Sequence, residues 1–268
     1  MVDMPNGTVT CEIVDDVATV TLSRPESLNS MTDDLMRDIS SAVAMAEEGA
    51  RVMVLTGAGR AFCSGADLSG VGQSGDGDFE SNPDSVTSGM DDFFNPALRN
   101  VKNCAIPTVS RINGVAAGGG LGLALACDIS IASRDAFFVA TFGPRLGIVP
   151  DLGSTWSLPQ RAGRARALGI TMLGERFSAD EAAEWGLIWK AVDADQLDVE
   201  VAKATATLSR SSAEAMRRIR SAIESSGERS FSEQLDVERD HQRVLIPKNM
   251  GEGAAAFLEK REPNFTQG

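Results

Sequence analysis

The run "GVAAGGGLGLALACD", residues 114–128, constrains this chain more than any other stretch. Gly118, Gly119 and Gly120 stand together before an apolar segment that reads as a helix. Upstream lies the β-rich "TVSRIN"; downstream lie the strands "ISIA" and "FFVA". Strand, Gly turn, helix, strand is the order of an α/β layer fold. Glycine permits backbone angles that aim successive N–H groups outward, and it lets a ligand come close. The helix N-terminus adds partial positive charge. Such a site suits a phosphate or a developing oxyanion. It is not a P-loop, since no Lys-Ser or Lys-Thr follows, and it is a poor dinucleotide fingerprint, since no acid stands about twenty residues on at the end of a second strand. A tight packing turn between helix and strand is the other reading of the same glycines.

The rest of the chain fits around that unit. Residues 8–14 and 17–22 are β-rich and split by Asp15-Asp16, which predicts a hairpin. Thr32 opens a helix running to about Glu48, with Leu35, Ile39, Val43 and Ala46 on one face. "RVMVLTGAG" reads as a buried strand and "AFCSGADLSG" as a loop. Residues 70–90 are rich in Gly, Ser and Asp and are expected to form a mobile loop. A helix follows from about Asp91 to Asn103. From Gly163 the pattern is helical, and Ser178 to Glu181 forms a capping box whose helix ends at Gly186. "LIWKAV" is the last expected strand; beyond Leu197 the chain reads as amphipathic helix. The change of composition near residue 200 divides an α/β core, residues 1–200, from a helical region, residues 201–268.

The formal net charge is −13. Without a basic block to release phosphate counterions, nucleic acid and anionic membrane surfaces are excluded as partners. Cys11, Cys63, Cys104 and Cys127 form no CxxC pair, and with a single histidine they assemble no ordinary zinc site. They read as reduced thiols of a cytoplasmic protein. The N-terminus has no basic and apolar leader pattern, and no run of about eighteen apolar residues is present to span a membrane.

One carboxylate stands out. In "GIVPDLGSTW", Asp151 is the only acid in an apolar, Gly- and Pro-punctuated run. Partial desolvation there would raise its pKa and make it a better base. The competing reading is a cap for a helix starting near Gly153-Ser154. A second Gly loop, "CSGADL", could supply another N–H group beside the central one. Two such donors could hold one carbonyl oxygen, each lowering the barrier by roughly 2.7–4 kcal/mol in comparable holes.

Taken together, "GAGRAFCSGADL", "INGVAAGGGLGLALACDISIAS" and the long stretch from "GIVPDLGSTW" through "EWGLIWKAV" resemble the enoyl-CoA hydratase/isomerase, or crotonase, superfamily. The resemblance covers nearly the whole chain. "FFNPALR", "AGRARALG" and "QLDVERDHQR" are most similar to its ring-1,2-epoxyphenylacetyl-CoA isomerase branch. It implies a ββα spiral core with a C-terminal helical trimerisation region, in a homotrimer or a dimer of trimers. It implies an acyl-CoA thioester as substrate, with coenzyme A part of that substrate and no permanently bound cofactor. The oxyanion hole falls on the backbone N–H groups of Ala66 and Gly119. The CoA moiety runs along Ser64, Gly65, Ala66, Asp67 and Leu68, with Arg24 near the nucleotide. Phe257 and Lys260 reach the nucleotide end from a neighbouring subunit. Ser69 stands where family members often carry a basic residue.

The chain departs from the hydratase pattern at two positions. Typical hydratases use two glutamates; the matching positions here are Gly122 and Gly143. Glycine neither takes nor gives a proton, so the standard hydration has no machinery. Asp151 matches the aspartate that isomerase branches use as a base. The resemblance therefore implies an acyl-CoA isomerase, shifting a double bond or opening a ring epoxide. The alternatives are an enoyl-CoA hydratase of fatty-acid β-oxidation with atypical water activation, and a non-catalytic acyl-CoA-binding protein. A dehalogenase-type displacement would need a histidine before the central loop, and the chain's one histidine is His241. The remaining candidates have bland readings. His241 is expected on a surface or subunit contact, Cys63 as a small buried residue, and Trp156, Trp185 and Trp189 in packing. Asp67 is expected to order its loop, and Arg161, Arg164 and Arg166 to lie on a solvated helix face or in a subunit salt-bridge patch. Phe93 and Phe94, with the loop before them, would shape the acyl pocket.

Overall fold

Two runs rich in β-branched residues, Val9–Val14 (β2) and Val17–Leu22 (β3), pair antiparallel as the expected hairpin. It turns at Asp15 and Asp16, both with positive φ, as a two-residue hairpin turn requires. The computed structural model describes residues 1–68 and 87–265. Most of the loop expected over 70–90 lies outside the described residues, and by residue 87 the chain is already helical. A strand at Val2–Asp3 (β1) borders β2. Thr32 caps helix α1 (Asp33–Gly49) by accepting from the Leu35 N–H, and the expected face of Leu35, Ile39, Val43 and Ala46 is buried.

Among the described residues, β1 to β3 continue through β4 (Val52–Gly57), β6 (Thr108–Ile112), β8 (Ile129–Ser133) and β11 (Lys190–Val192) into one sheet, ordered β1-β2-β3-β4-β6-β8-β11. From β3 onward its pairings are parallel. All of β4 is buried, as suits the centre of a parallel sheet. A smaller sheet has the order β10-β9-β7-β5, built from β5 (Ala61–Cys63), β7 (Val115–Ala117), β9 (Phe137–Val139) and β10 (Arg176–Ser178). Successive turns of the chain place one strand in each sheet: β4 then β5, β6 then β7, β8 then β9. Helices α2 (Asn95–Lys102) and α3 (Gly119–Ala126) complete two of those turns. This is the spiral α/β core that the resemblance implied.

Three strands correct the sequence reading. Ala61–Cys63 opens the segment read as a loop, Val115–Ala117 lies inside the Gly-rich run, and Arg176–Ser178 stands in a stretch read as helical. Each spans three residues, too short for an alternating pattern to show. The expected helix near Asp91 begins as a π-helical turn, Met90–Phe94, before α2. Helix α4 (Ser154–Leu173) starts well before Gly163; that glycine breaks it at φ 77° and ψ 164°, so only the second half has an unbroken period. The capping box of Ser178 and Glu181 opens α5 (Ala179–Glu184) as expected. Helices α6 (Leu197–Arg210), α7 (Ala213–Glu224) and α8 (Phe231–Glu259) form the C-terminal region. Residue 200 falls within α6, whose Leu197 and Val201 pack against Val52, Val54, Val109 and Ile131 of the large sheet.

Candidate active site

Two backbone turns meet at the positions of the two Gly loops. Gly65 has φ +93°, and a Cβ there would lie 2.8 Å from the Ala117 carbonyl oxygen and 3.3 Å from the Gly119 nitrogen. Only glycine lets the turns approach this closely. Ala66 is exposed, and Gly119 is the first residue of α3, where N–H groups have no intrahelical partner. Among the described residues, neither the Ala66 nor the Gly119 amide donates to a protein acceptor. Met31 joins the two turns. It pairs with Ala66 as a parallel bridge, and its sulfur lies 3.3 Å from the Cβ position of Gly119.

Asp151 lies just ahead of α4 and is half-buried. The capping reading fails: the N-cap of α4 is Gly153, at φ 75°, with no side-chain cap bond. It is the main-chain carbonyl of Asp151, not its carboxylate, that accepts the Ser154 N–H, at 2.9 Å. Burial pushes the Asp151 carboxyl above its ordinary pKa, opposed by a weaker bond from its own backbone N–H. The next residue, Leu152, is buried at φ +49°. Its side chain reaches the first turn of α3, with Cδ1 2.4 Å from the Cβ position of Gly119. Its carbonyl oxygen lies 2.3 Å from the Cβ position of Gly122. A side chain at Gly122 would therefore collide with the backbone that carries Asp151. Gly143 is less crowded, with the Thr171 carbonyl oxygen 3.1 Å from its Cβ position. A cavity of about 450 Å³ opens beside this corner, lined by Leu98, Lys102, Gly122, Leu152, Gly153 and Trp156 among others.

The enoyl-CoA hydratase/isomerase family model matches residues 12–268. The chain belongs to this family. It is 41% identical over 253 residues to the 1,2-epoxyphenylacetyl-CoA isomerase of Escherichia coli K12, covering 93% of this chain and 95% of that protein. It is 38% identical to a probable enoyl-CoA hydratase of Rhodobacter capsulatus, covering 98% and 99%. Its fold matches a crystal structure of an enoyl-CoA hydratase from Polaromonas sp. JS666 with TM-score 0.86 at 31% identity, covering 96% of this chain and 98% of that one. The relatives divide between isomerase and hydratase names, so family membership leaves the reaction to the site.

Other residues named from this family's pattern fall in several places. Arg24 turns inward: Nη2 lies 3.1 Å from Asp67 Oδ2, and Nη1 donates to the Ser30 carbonyl. Asp67 accepts from Arg24 and from the Ser30 hydroxyl. Ser64 donates to the backbone of Ser27 and Leu28, and Leu68 is exposed. Phe257 and Lys260 lie at the end of α8, outside this network, with Phe257 82% exposed. Cys63 is fully buried and its thiol is pushed up to about 12 by desolvation, which leaves it inert at neutral pH. His241 lies on α8 with Nδ1 3.0 Å from Arg218 Nη1 of α7. Arg161 corrects its reading as a solvated or salt-bridge group. It donates to the carbonyls of Leu125, Cys127 and Leu187, closing the C-terminal end of α3. Trp185 packs on Phe177, whereas Trp156 and Trp189 are exposed. Sequence reasoning missed what Asn29, Ser30 and Met31 do around the Ala66 turn, and the approach of the Leu152 carbonyl to Gly122.

Proposed function

We propose that this protein is a cytoplasmic acyl-CoA isomerase with an oxyanion hole and a single carboxylate base. The amides of Ala66 and Gly119 hold the thioester oxygen. Asp151 takes a proton from C2 of a 3-enoyl-CoA; the electrons pass into a dienolate held by those amides. The same carboxyl returns the proton to C4, and the double bond has moved. A ring-1,2-epoxyphenylacetyl-CoA that opens to an oxepin is the other substrate for the same machinery, and the Escherichia coli relative's name supports it. The CoA moiety runs along Ser64 to Leu68. Assembly as a homotrimer or dimer of trimers would cover Phe231, Ile246, Met250 and Leu258 of α8, all exposed in the single chain, and bring a neighbour's Phe257 and Lys260 to the nucleotide.

The observation that carries this reading is the state of Asp151. Its carboxylate is half-buried, not spent on capping, and one residue from a side chain that packs on Gly119. A protein that merely bound acyl-CoA would gain nothing from a desolvated carboxylate there. The Rhodobacter capsulatus relative's name favours hydration as a second reading. The crowding at Gly122 opposes it, since it leaves no space for a first glutamate.

Incubation in heavy water with a 3-enoyl-CoA and, separately, a 2-enoyl-CoA tests the choice. The expected product is an isomer with no water added, carrying solvent deuterium where the proton exchanges. A product heavier by one water, formed at an appreciable rate from the 2-enoyl-CoA, overturns the isomerase reading. The pH profile follows from the same residue. The base works ionised, and its pKa is raised. The isomerisation rate is expected to fall with acid at a pH above the ordinary aspartate range of about 3.9, in a profile of kcat against pH.

A further inference from the structure

We propose that the segment Arg24–Met31 is a positioning frame for the Ala66 amide, with Asn29 as its anchor and the Arg24–Ser30–Asp67 cluster as its clamp. This rests on the reading of Ala66 as an oxyanion donor. Asn29 is fully buried and left-handed, at φ +55°. Its Oδ1 accepts from the Arg24 N–H, and its own N–H donates to the Arg24 carbonyl. Its side-chain amide donates to the carbonyls of Ala58, Ala61 and Phe62 at 3.0, 2.9 and 3.2 Å. One side chain thus fixes the frame to β5 and the turn before it.

From that anchor the frame holds every residue around Ala66. The Ser64 N–H donates to the Leu28 carbonyl at 3.0 Å. The Met31 N–H donates to the Gly65 carbonyl, and the Asp67 N–H to the Met31 carbonyl, each at 2.8 Å. The first of these two bonds sets the direction of the Ala66 amide. A trans peptide is planar, with its carbonyl and N–H pointing opposite ways. Binding the Gly65 oxygen to Met31 therefore aims the Ala66 N–H away from Met31. The clamp fixes the next residue: Asp67 Oδ2 accepts from the Ser30 hydroxyl at 2.9 Å and from Arg24 Nη2 at 3.1 Å. Both charged side chains are mostly covered, 22% and 17% exposed, so the pair is not a loose surface bridge. Arg24 is accordingly a positioning residue and not the cation that meets the nucleotide.

Two substrates separate those roles: a 3-enoyl-CoA, and the same acyl group on N-acetylcysteamine, which has no nucleotide. Arg24→Lys, Asp67→Asn and the milder Ser30→Ala are compared with the wild type after checking their melting temperatures. The frame predicts a kcat loss of about tenfold to a hundredfold on both thioesters for Arg24→Lys and Asp67→Asn, with KM little changed. Ser30→Ala shows a smaller loss of the same kind. A KM rise confined to the CoA thioester overturns the proposal and makes Arg24 a nucleotide contact; unchanged kinetics on both also overturns it. A readout without turnover separates this from the isomerase reading. The infrared carbonyl stretch of a bound saturated acyl-CoA, ¹³C-labelled at the thioester, is shifted down in the wild type and moves back toward the free value in the variants. That shift in a wild type that isomerises nothing would leave the frame standing and sink the isomerase. No shift in the wild type overturns the frame.

Discussion

Asp151→Asn is expected to lower isomerase turnover by about 10²- to 10⁴-fold while leaving the melting temperature unchanged or higher. The first half follows from chemistry: an amide does not accept a proton at neutral pH, and the acid that lines the neighbouring cavity among the described residues, Glu224, is held in an ion pair by Lys102. The second half follows from linkage. Burial raises the Asp151 pKa in the folded protein, so between the unfolded and folded pKa values the native state holds more protons than the unfolded one. Stability then falls as pH rises through that window and stays lower above it. At neutral pH the ionised carboxylate is a cost to the fold, and asparagine is free of it. The helix behind it loses nothing either, because the Asp151 main-chain carbonyl, not its side chain, meets Ser154. Enzyme assay and thermal melt of the one variant are both needed. Undiminished turnover would show that Asp151 is not the base. A large drop in melting temperature would show that the carboxylate has a structural partner that matters more than its desolvation.

What was legible in the sequence depended on range. The hairpin of β2 and β3, helix α1 and the capping box at Ser178 announce themselves within a few residues, and each forms as read. The strands β5, β7 and β10 are not periodic enough to see, because what makes them strands is their neighbours in the small sheet. The packing reading of the glycine run is borne out. Gly120 is a packing turn, with the Cys63 carbonyl oxygen 2.2 Å from its Cβ position, while the Gly119 amide stays unspent. Asp151 was visible because it stands alone among apolar residues. Asn29 was not, because "RPESLNSM" looks like any polar loop; its worth lies in carbonyls that are 29, 32 and 33 residues away. Arg161 was misread for the same reason: its acceptors at Leu125, Cys127 and Leu187 are far off in sequence. Gly122 was read as an absent glutamate, and the structure gives it a positive role.

That role makes Gly122→Ala and Gly122→Glu the second decisive pair. A Cβ at this position stands 2.3 Å from the Leu152 carbonyl oxygen and 3.1 Å from the Leu152 Cβ. Neither is the loose end of a side chain, so the Asp151–Gly153 turn has to move by about an ångström, a displacement that can cost about a hundredfold in rate. Leu152 also packs on Gly119, so the shift reaches the proposed oxyanion donor as well as the proposed base. Forcing extra atoms into such a contact costs about 1–3 kcal/mol of stability. Gly122→Ala is therefore expected to lose about a hundredfold in isomerisation and to melt lower. Gly122→Glu puts an acid at the hydratase position, but its side chain enters space that the Asp151–Gly153 turn occupies. It is expected to lose isomerisation without gaining a hydrated product. Gly143→Ala is the contrast: its contact, the Thr171 carbonyl oxygen at 3.1 Å, asks for a shift of only a few tenths of an ångström; its effects on rate and melting temperature should be smaller than those of Gly122→Ala. Wild-type turnover in Gly122→Ala would mean the turn yields freely and does not depend on this glycine. Hydration by Gly122→Glu would mean the two acids can share the corner. Failing both, the single-base and two-acid arrangements exclude each other sterically in this fold, and glycine at 122 is the condition for placing an aspartate at 151.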